Sequence, residues 1–298
     1  MRAALIAAYI SAFSFVIGSC IYAAGAAYEN HGDLLSAFTG KRAEESYMNY
    51  TALNATYVRD IWDARRSAGP CYVISELIEA FAWALALPAI IALGDMIGGL
   101  RSCAKISSVC FTIAAISSMI NFTFQAGLTS TVDWMLSWDS MSSTQIEEDL
   151  NNNKFSAIQS LEISYMVAQS RTIWLFAMDD LLLSVGLFSL SFLVLKTREK
   201  ALSKCFAFYG IFLSLFAFIG FICEVLRFVN WFEFRIASSA INAFIMGVFF
   251  PLWLLLFACQ LKGAASEGPT YQTTSKARQA TSKTPVDDGD MHDIELHA

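Results

Sequence analysis

Three short constellations in this chain could do chemistry: Glu76 with Glu79, Asp179 with Asp180, and Glu224 with Arg227. Each interrupts a long apolar stretch. Ionisable groups in such surroundings are costly and usually face a bundle interior or a wet cavity. Glu76 and Glu79 stand at i and i+3, on one face if the segment is a helix, as do Glu224 and Arg227. Asp179 and Asp180 are adjacent and cannot point the same way; one faces the bundle and the other reaches a neighbour or water. Asn121 and Gln125, and Arg235 and Asn242, add polar groups in two further apolar stretches.

Like charges sharing a dry site repel, which suits uptake of a proton or a cation. The candidate polar cavity is therefore Glu79, Asp179, Asp180, Asn121 and Asn242, with Arg227 or Arg235 offsetting part of the charge. The competing reading is hydrogen bonding and ion pairing that only hold the bundle together. On that reading Glu224–Arg227 is a local ion pair near the surface, and Glu76 is wet at a helix end.

The elements that must position these residues are six apolar stretches, about Ala3–Ala27, Tyr72–Ile97, Ala104–Leu128, Thr172–Leu195, Cys205–Phe228 and Ile236–Leu261, each 24 to 26 residues long. A helix needs ~20 apolar residues to cross the ~30 Å hydrocarbon core. Within lipid a spanning segment must satisfy its own backbone, so these are α-helices. The expected fold is an all-α bundle of six transmembrane helices over residues 1–262, with outer loops 28–71 and 129–171 and a disordered tail at 263–298. With only 15% charged residues against 56% hydrophobic, the composition fits a protein with an apolar surface. At a rise of 1.5 Å per residue, Glu79, Asn121, Asn242 and Asp179 all lie ~9–10 Å below the outer boundary, at one level.

Short basic connections set orientation. Arg101 and Lys105 flank the turn between spans 2 and 3, and Lys196–Lys204 holds four basic residues against one acid. Both belong inside, which leaves both termini cytoplasmic in a membrane of the secretory pathway or at the cell surface. Two N-glycosylation acceptors, Asn49 and Asn54, fall in the first outer loop and agree. A third, at Asn121, is blocked by its place within a span. Span 1 carries the small residues Ala4, Ala7, Ser11, Ser14, Gly18 and Gly25 near helical spacing, which lets helices approach closely. It reads as a retained helix; the alternative is a cleaved signal peptide, although its apolar run is longer than a signal core.

The 129–171 loop contains a capping-box pattern at Thr144–Glu147. Phe155, Ile158, Leu161 and Tyr165 follow at helical spacing, an amphipathic lead-in resting on the outer surface or a ligand lid. Pro88 and Pro251 are expected to kink spans 2 and 6. The seven cysteines form no metal or redox pattern. Cys103, Cys205 and Cys259 near one membrane face suit palmitoylation. Cys71 and Cys223 near the other are candidates for a disulfide. The tail motifs Arg278–Thr281, Thr284-Pro285 and Asp293–Glu295 resemble kinase and export signals.

The lead-in Phe155–Gln169, the basic hairpin Lys196–Lys204 and the ending Pro251-Leu-Trp-Leu-Leu-Leu through Leu261-Lys-Gly263 resemble a broad family of functionally uncharacterised six-helix membrane proteins. The resemblance covers residues 70–263 and implies six helices, without an activity or a site residue. The glycosylatable loop and the long tail depart from its compact members.

No catalytic motif, cofactor motif or metal-ligand spacing is present in the sequence, and no basic patch with interleaved aromatics suits nucleic acid. The expected function is transport or sensing of a small solute or cation through an outward-facing acidic cavity. The alternative is a scaffold or accessory subunit whose aromatic surface (24 Phe, 7 Trp) contacts the lipid bilayer or a membrane-protein partner. An enzyme is not expected.

Overall fold

The computed structural model describes residues 2–29, 55–96, 102–137, 157–196, 202–226 and 231–266. Among these the chain is all-helical. Helix α1 is Arg2–Glu29, α2 is Ala55–Met96, α3 is Ser102–Ser137, α4 is Ala157–Lys196 and α5 is Lys204–Leu226. Helix α6 is an α-helix over Trp231–Phe244, a π turn over Ile245–Phe249 and an α-helix again over Phe250–Ser266. All six are long and apolar enough to cross a membrane. Large apolar side chains such as Ile10, Phe13, Ile113, Ile120, Phe188 and Phe212 are about half exposed on the outside of the bundle. In water that surface would be unfavourable, whereas in lipid it is in its own solvent. The protein is thus a multi-pass, membrane-embedded helix bundle.

Each helix packs on its neighbours in sequence, and α6 packs back on α1, so the six close into a ring. Serines pin the seams. Ser11 Oγ donates to Ala82 O at 2.7 Å and Ser75 Oγ to Gly18 O at 2.9 Å, tying α1 to α2. Ser107 Oγ donates to Gly186 O at 2.9 Å between α3 and α4, and Ser214 Oγ to Ser184 O at 2.9 Å between α5 and α4. Without a hydrophobic force between helices in lipid, small residues and hydrogen bonds of this kind drive association. The stripe on α1 is where it is needed: Ala4, Ser11, Gly18 and Gly25 are buried, and a Cβ on Gly18 would sit 2.8 Å from Glu79 Cγ.

The two ends of the ring differ. The long-loop end bears the connections from Glu29 to Ala55 and from Ser137 to Ala157. There α2, α3 and α4 run past their apolar segments, with total lengths of 42, 36 and 40 residues. At 1.5 Å per residue they measure ~63, ~54 and ~60 Å, far more than the ~30 Å core demands. The lead-in to span 4 is the first part of α4 itself. No Gly or Pro between 157 and 173 breaks the helix, so from Ala157 the lead-in runs unbroken into span 4. The capping-box residues Thr144–Glu147 lie outside the described residues.

Towards the other end, where α1 begins and α6 finishes, aromatic rings fill the centre. Phe15 meets Trp83 edge-on at 5.5 Å between centroids, and Trp83 stacks on Phe250 at 5.0 Å. Trp253 stacks on Phe250 at 5.8 Å, on Phe111 at 5.8 Å and on Phe206 at 5.2 Å. All of these side chains are fully buried. This plug is contributed by α1, α2, α3, α5 and α6 and closes the middle of the ring.

Helix α6 is irregular beside Pro251, where a kink was expected. Proline has no N–H to offer the carbonyl four residues back. In the turn before it Phe250 N–H bonds to Ile245 O, a five-residue step, and the Tyr209 hydroxyl of α5 donates to Phe249 O at 3.0 Å. Pro88 lies inside α2 along with Pro70. The disulfide between Cys71 and Cys223 does not form: both thiols are free. Cys71 packs beside Gly25 at the α1–α2 seam, while Cys223 is on α5, which is not adjacent to α2 in the ring.

Candidate functional site

Helix α4 is the pivot of the site. Successive residues on a helix are turned by ~100°, so adjacent aspartates address different neighbours. Asp179 faces α3, where Ser118 Oγ donates to its Oδ2 at 2.8 Å. Asp180 faces α5 and α6. With the Asn242 amide turned so that its nitrogen faces the carboxylate, Nδ2 donates to Asp180 Oδ2 at 3.1 Å and to Oδ1 at 3.3 Å. Gly220 of α5 leaves the room for this, since a Cβ there would lie 2.9 Å from Asp180 Oδ2. Glu224, one turn along α5 from Gly220, is within coulombic reach of Asp180 and accepts a hydrogen bond from Ser238 of α6. Asp180 is 2% exposed, and Asp179 and Glu224 are also buried.

The two aspartates therefore differ in surroundings. Asp180 belongs to a three-helix cluster with Asn242, Glu224 and Ser238. Asp179 belongs to the α3–α4 seam, where its Oδ1 is buried without a hydrogen-bond partner. Three residues along α3 from Ser118, Asn121 is fully buried and both atoms of its amide lack a partner. Among the described residues neither aspartate meets a Lys or an Arg.

Glu79 is held elsewhere on the ring. Its Oε1 is 3.5 Å from Ser19 Oγ, a long contact across the α1–α2 seam, and it lies against Gly18. No contact among the described residues joins it to Asp179 or Asp180. One turn further from the long-loop end, Trp83 begins the aromatic plug on α2, as Phe15 does on α1 four residues from Ser19. The polar groups thus rest on the plug.

Several expected features change. Glu76 is not wet at a helix end; it is 5% exposed. The apolar stretch starts near Tyr72, but α2 starts at Ala55, so Glu76 lies several turns inside the helix. Glu224 is buried, 3% exposed. Arg227, its expected ion-pair partner, lies outside the described residues, as do Asn49 and Asn54, and nothing is described of the Arg235 side chain. Gln260 lies near the C-terminal end of α6. Its amide accepts from Ser203 N at 3.3 Å and donates to Ser203 Oγ at 3.2 Å, and Ser203 in turn caps α5 through Phe206 N at 3.2 Å.

Residues that the carboxylates alone did not point to complete the site: Ser118, Ser238, Ser19 and Gly220. The signal for them was faint. Ser118 is three residues before Asn121, hence on its face, but a serine in an apolar helix is ordinary packing.

No protein-family model, no curated protein and no solved structure matches this chain. The site must be read from its own chemistry.

Proposed function

We propose that this protein takes a proton or a small cation into the buried carboxylate layer from the long-loop end, as a transporter or a sensor of that ion. The observation that carries the proposal is Asp180: a carboxylate 2% exposed, shared by three helices, with Asn242 as its hydrogen-bond donor and Glu224 close by. Taking a carboxylate out of water costs several kcal/mol unless its charge is offset. With a second carboxylate beside it, a proton or a cation offsets the charge. The plug beneath the layer supports entry from the long-loop end.

That end is read as extracytoplasmic, with both termini cytoplasmic. The basic turns at Arg101–Lys105 and Lys196–Lys204 support this, as do the acceptor triplets at Asn49 and Asn54. No covalent conversion of the ligand is invoked. For transport the plug would have to open. The π turn of α6, which carries Phe249 and adjoins Phe250, is the place where the helix ladder is already broken.

A second reading is a scaffold or accessory subunit that binds other membrane proteins. The serine pins and the filled aromatic centre favour it, because both suit a rigid bundle.

The two readings separate in proteoliposomes holding a trapped pH dye, under an imposed potential and with Na+, K+ or choline outside. The ion-handling reading expects a proton or cation signal that Asp180→Asn and Glu224→Gln each reduce by about tenfold or more while the variants remain folded. If both folded variants retain the wild-type signal, the reading is wrong. If the wild-type shows no signal with any ion, transport is excluded and the scaffold reading gains.

A further inference from the structure

The α3–α4 seam contains more unsatisfied polar atoms than packing explains. Asn121 is 0% exposed, and neither its Oδ1 nor its Nδ2 has a hydrogen-bond partner. Asp179 Oδ1 is equally buried and equally without one. A buried polar atom left unpaired costs about 1–3 kcal/mol, so the acceptor oxygens of Asp179 on the seam and of Asn121, one turn of α3 from Ser118, need an explanation. On α3 Ser118 and Asn121 are three residues apart and Ser117 and Asn121 four, so the three share a face. Ser118 touches the Asp179 carboxylate at 2.8 Å and Ser117 lies beside it. Asn121 is the next polar group along that face.

We infer that this seam binds a single monovalent cation of the Na+ or Li+ kind, held by Asp179 Oδ1, the Asn121 amide oxygen and the Ser117 and Ser118 hydroxyl oxygens. The inference rests on the reading of the layer as an ion site, and adds where the ion sits and what its charge is. The donors are all oxygens, the type that suits hard cations. They carry one formal negative charge, which matches one positive charge. Among the described residues no group of three His, Cys, Asp or Glu is available for a divalent or transition metal. A buried water supplies hydrogen bonds only, whereas a cation also offsets the charge of an ionised Asp179. The site is separate from the Asp180–Asn242–Glu224 cluster, because the two aspartates face opposite flanks of α4. The layer then has two subsites, one for a metal cation and one whose paired carboxylates suit a proton.

The test is thermal unfolding of the purified full chain in lipid nanodiscs, with NaCl, LiCl or KCl replacing choline chloride at constant ionic strength. A ligand that binds only the native state raises the unfolding midpoint with its concentration. The midpoint is expected to rise with Na+ or Li+ and to saturate. In Asn121→Ala and Ser118→Ala the rise should need about tenfold or more salt, whereas Ser107→Ala, which removes a seam hydroxyl outside the site, should leave its concentration dependence unchanged. Should Asn121→Ala fail to fold, Ser118→Ala, which removes one hydroxyl, carries the same expectation. A midpoint indifferent to every cation at constant ionic strength would overturn the inference in favour of water. So would a wild-type response in folded Ser118→Ala and Asn121→Ala, or a response weakened as much in Ser107→Ala as in Ser118→Ala. An absent salt response, with ion uptake still dependent on Asp180, defeats this subsite and leaves the proposed function standing. A salt response that needs Asn121, with no uptake by the wild type, does the reverse for transport.

Discussion

Gly18 shows how closely single residues set this bundle. A Cβ at Gly18 would come within 2.8 Å of Glu79 Cγ and 3.4 Å of the Ser75 carbonyl oxygen, and that carbonyl belongs to the backbone of α2. The Glu79 side chain can shift, but the backbone can do so only if the helices separate. Gly18→Leu is therefore expected to destabilise the protein by roughly 1–3 kcal/mol, the usual cost of overpacking. It should also disturb the Ser75 bond to the Gly18 carbonyl and the Ser19–Glu79 contact. Chemical denaturation of the reconstituted variant checks this, and a stability equal to wild type would mean that α1 and α2 are less tightly apposed than described. The same scale explains what could be read in advance. Glu79, Asp179, Asp180, Asn121 and Asn242 are visible because polar residues stand out in apolar stretches. Their partners are not: Ser118, Ser238 and Gly220 matter only through which helix lies opposite, and helical period alone does not give the order of helices around a ring.

Among the elements, α6 departs furthest from a simple span. Pro251 removes one donor from its ladder, and the π turn at Ile245–Phe249 re-forms the ladder on a five-residue step. Tyr209 then supplies a hydroxyl to Phe249 O from α5. Tyr209→Phe keeps the ring, which stacks with Phe212 at 6.2 Å, and deletes only that hydrogen bond. The expected loss of stability is about 1 kcal/mol, seen as a lower thermal midpoint. An unchanged midpoint would show that the carbonyl needs no partner from α5. A proline in an apolar stretch announces an irregularity, but not that it takes the form of a π turn or that a tyrosine on the preceding helix braces it. The apolar segments of the six helices were legible to within a few residues, because the thickness of the hydrocarbon core sets their length. The extension of α4 showed in the helical spacing of Phe155, Ile158, Leu161 and Tyr165, but that of α2 did not show, since helix there is set by backbone continuity and not by apolarity. That is why Glu76 looks terminal in the sequence and is interior in the fold.

At the scale of the molecule the ring has two zones with different physics. The half toward the chain termini is closed by stacked aromatic rings around Trp83, Phe250 and Trp253, whose burial is complete. The half toward the long loops holds the carboxylates, each touched by a hydroxyl or an amide from another helix. Aromatic rings below and buried carboxylates above divide the bundle, and α4 sends Asp179 to α3 and Asp180 to α5 and α6. On the proposed reading, in which an ion is carried across or sensed, the layer changes its protonation or its ion occupancy. Infrared difference spectroscopy of the reconstituted protein, on switching pH or exchanging choline for Na+, observes that event directly in the carboxyl stretching bands. The account predicts a difference band in wild type that is lost or displaced in Asp180→Asn and in Glu224→Gln. Superimposable spectra from the wild type and both folded variants, with no carboxyl band answering to either switch, would contradict it.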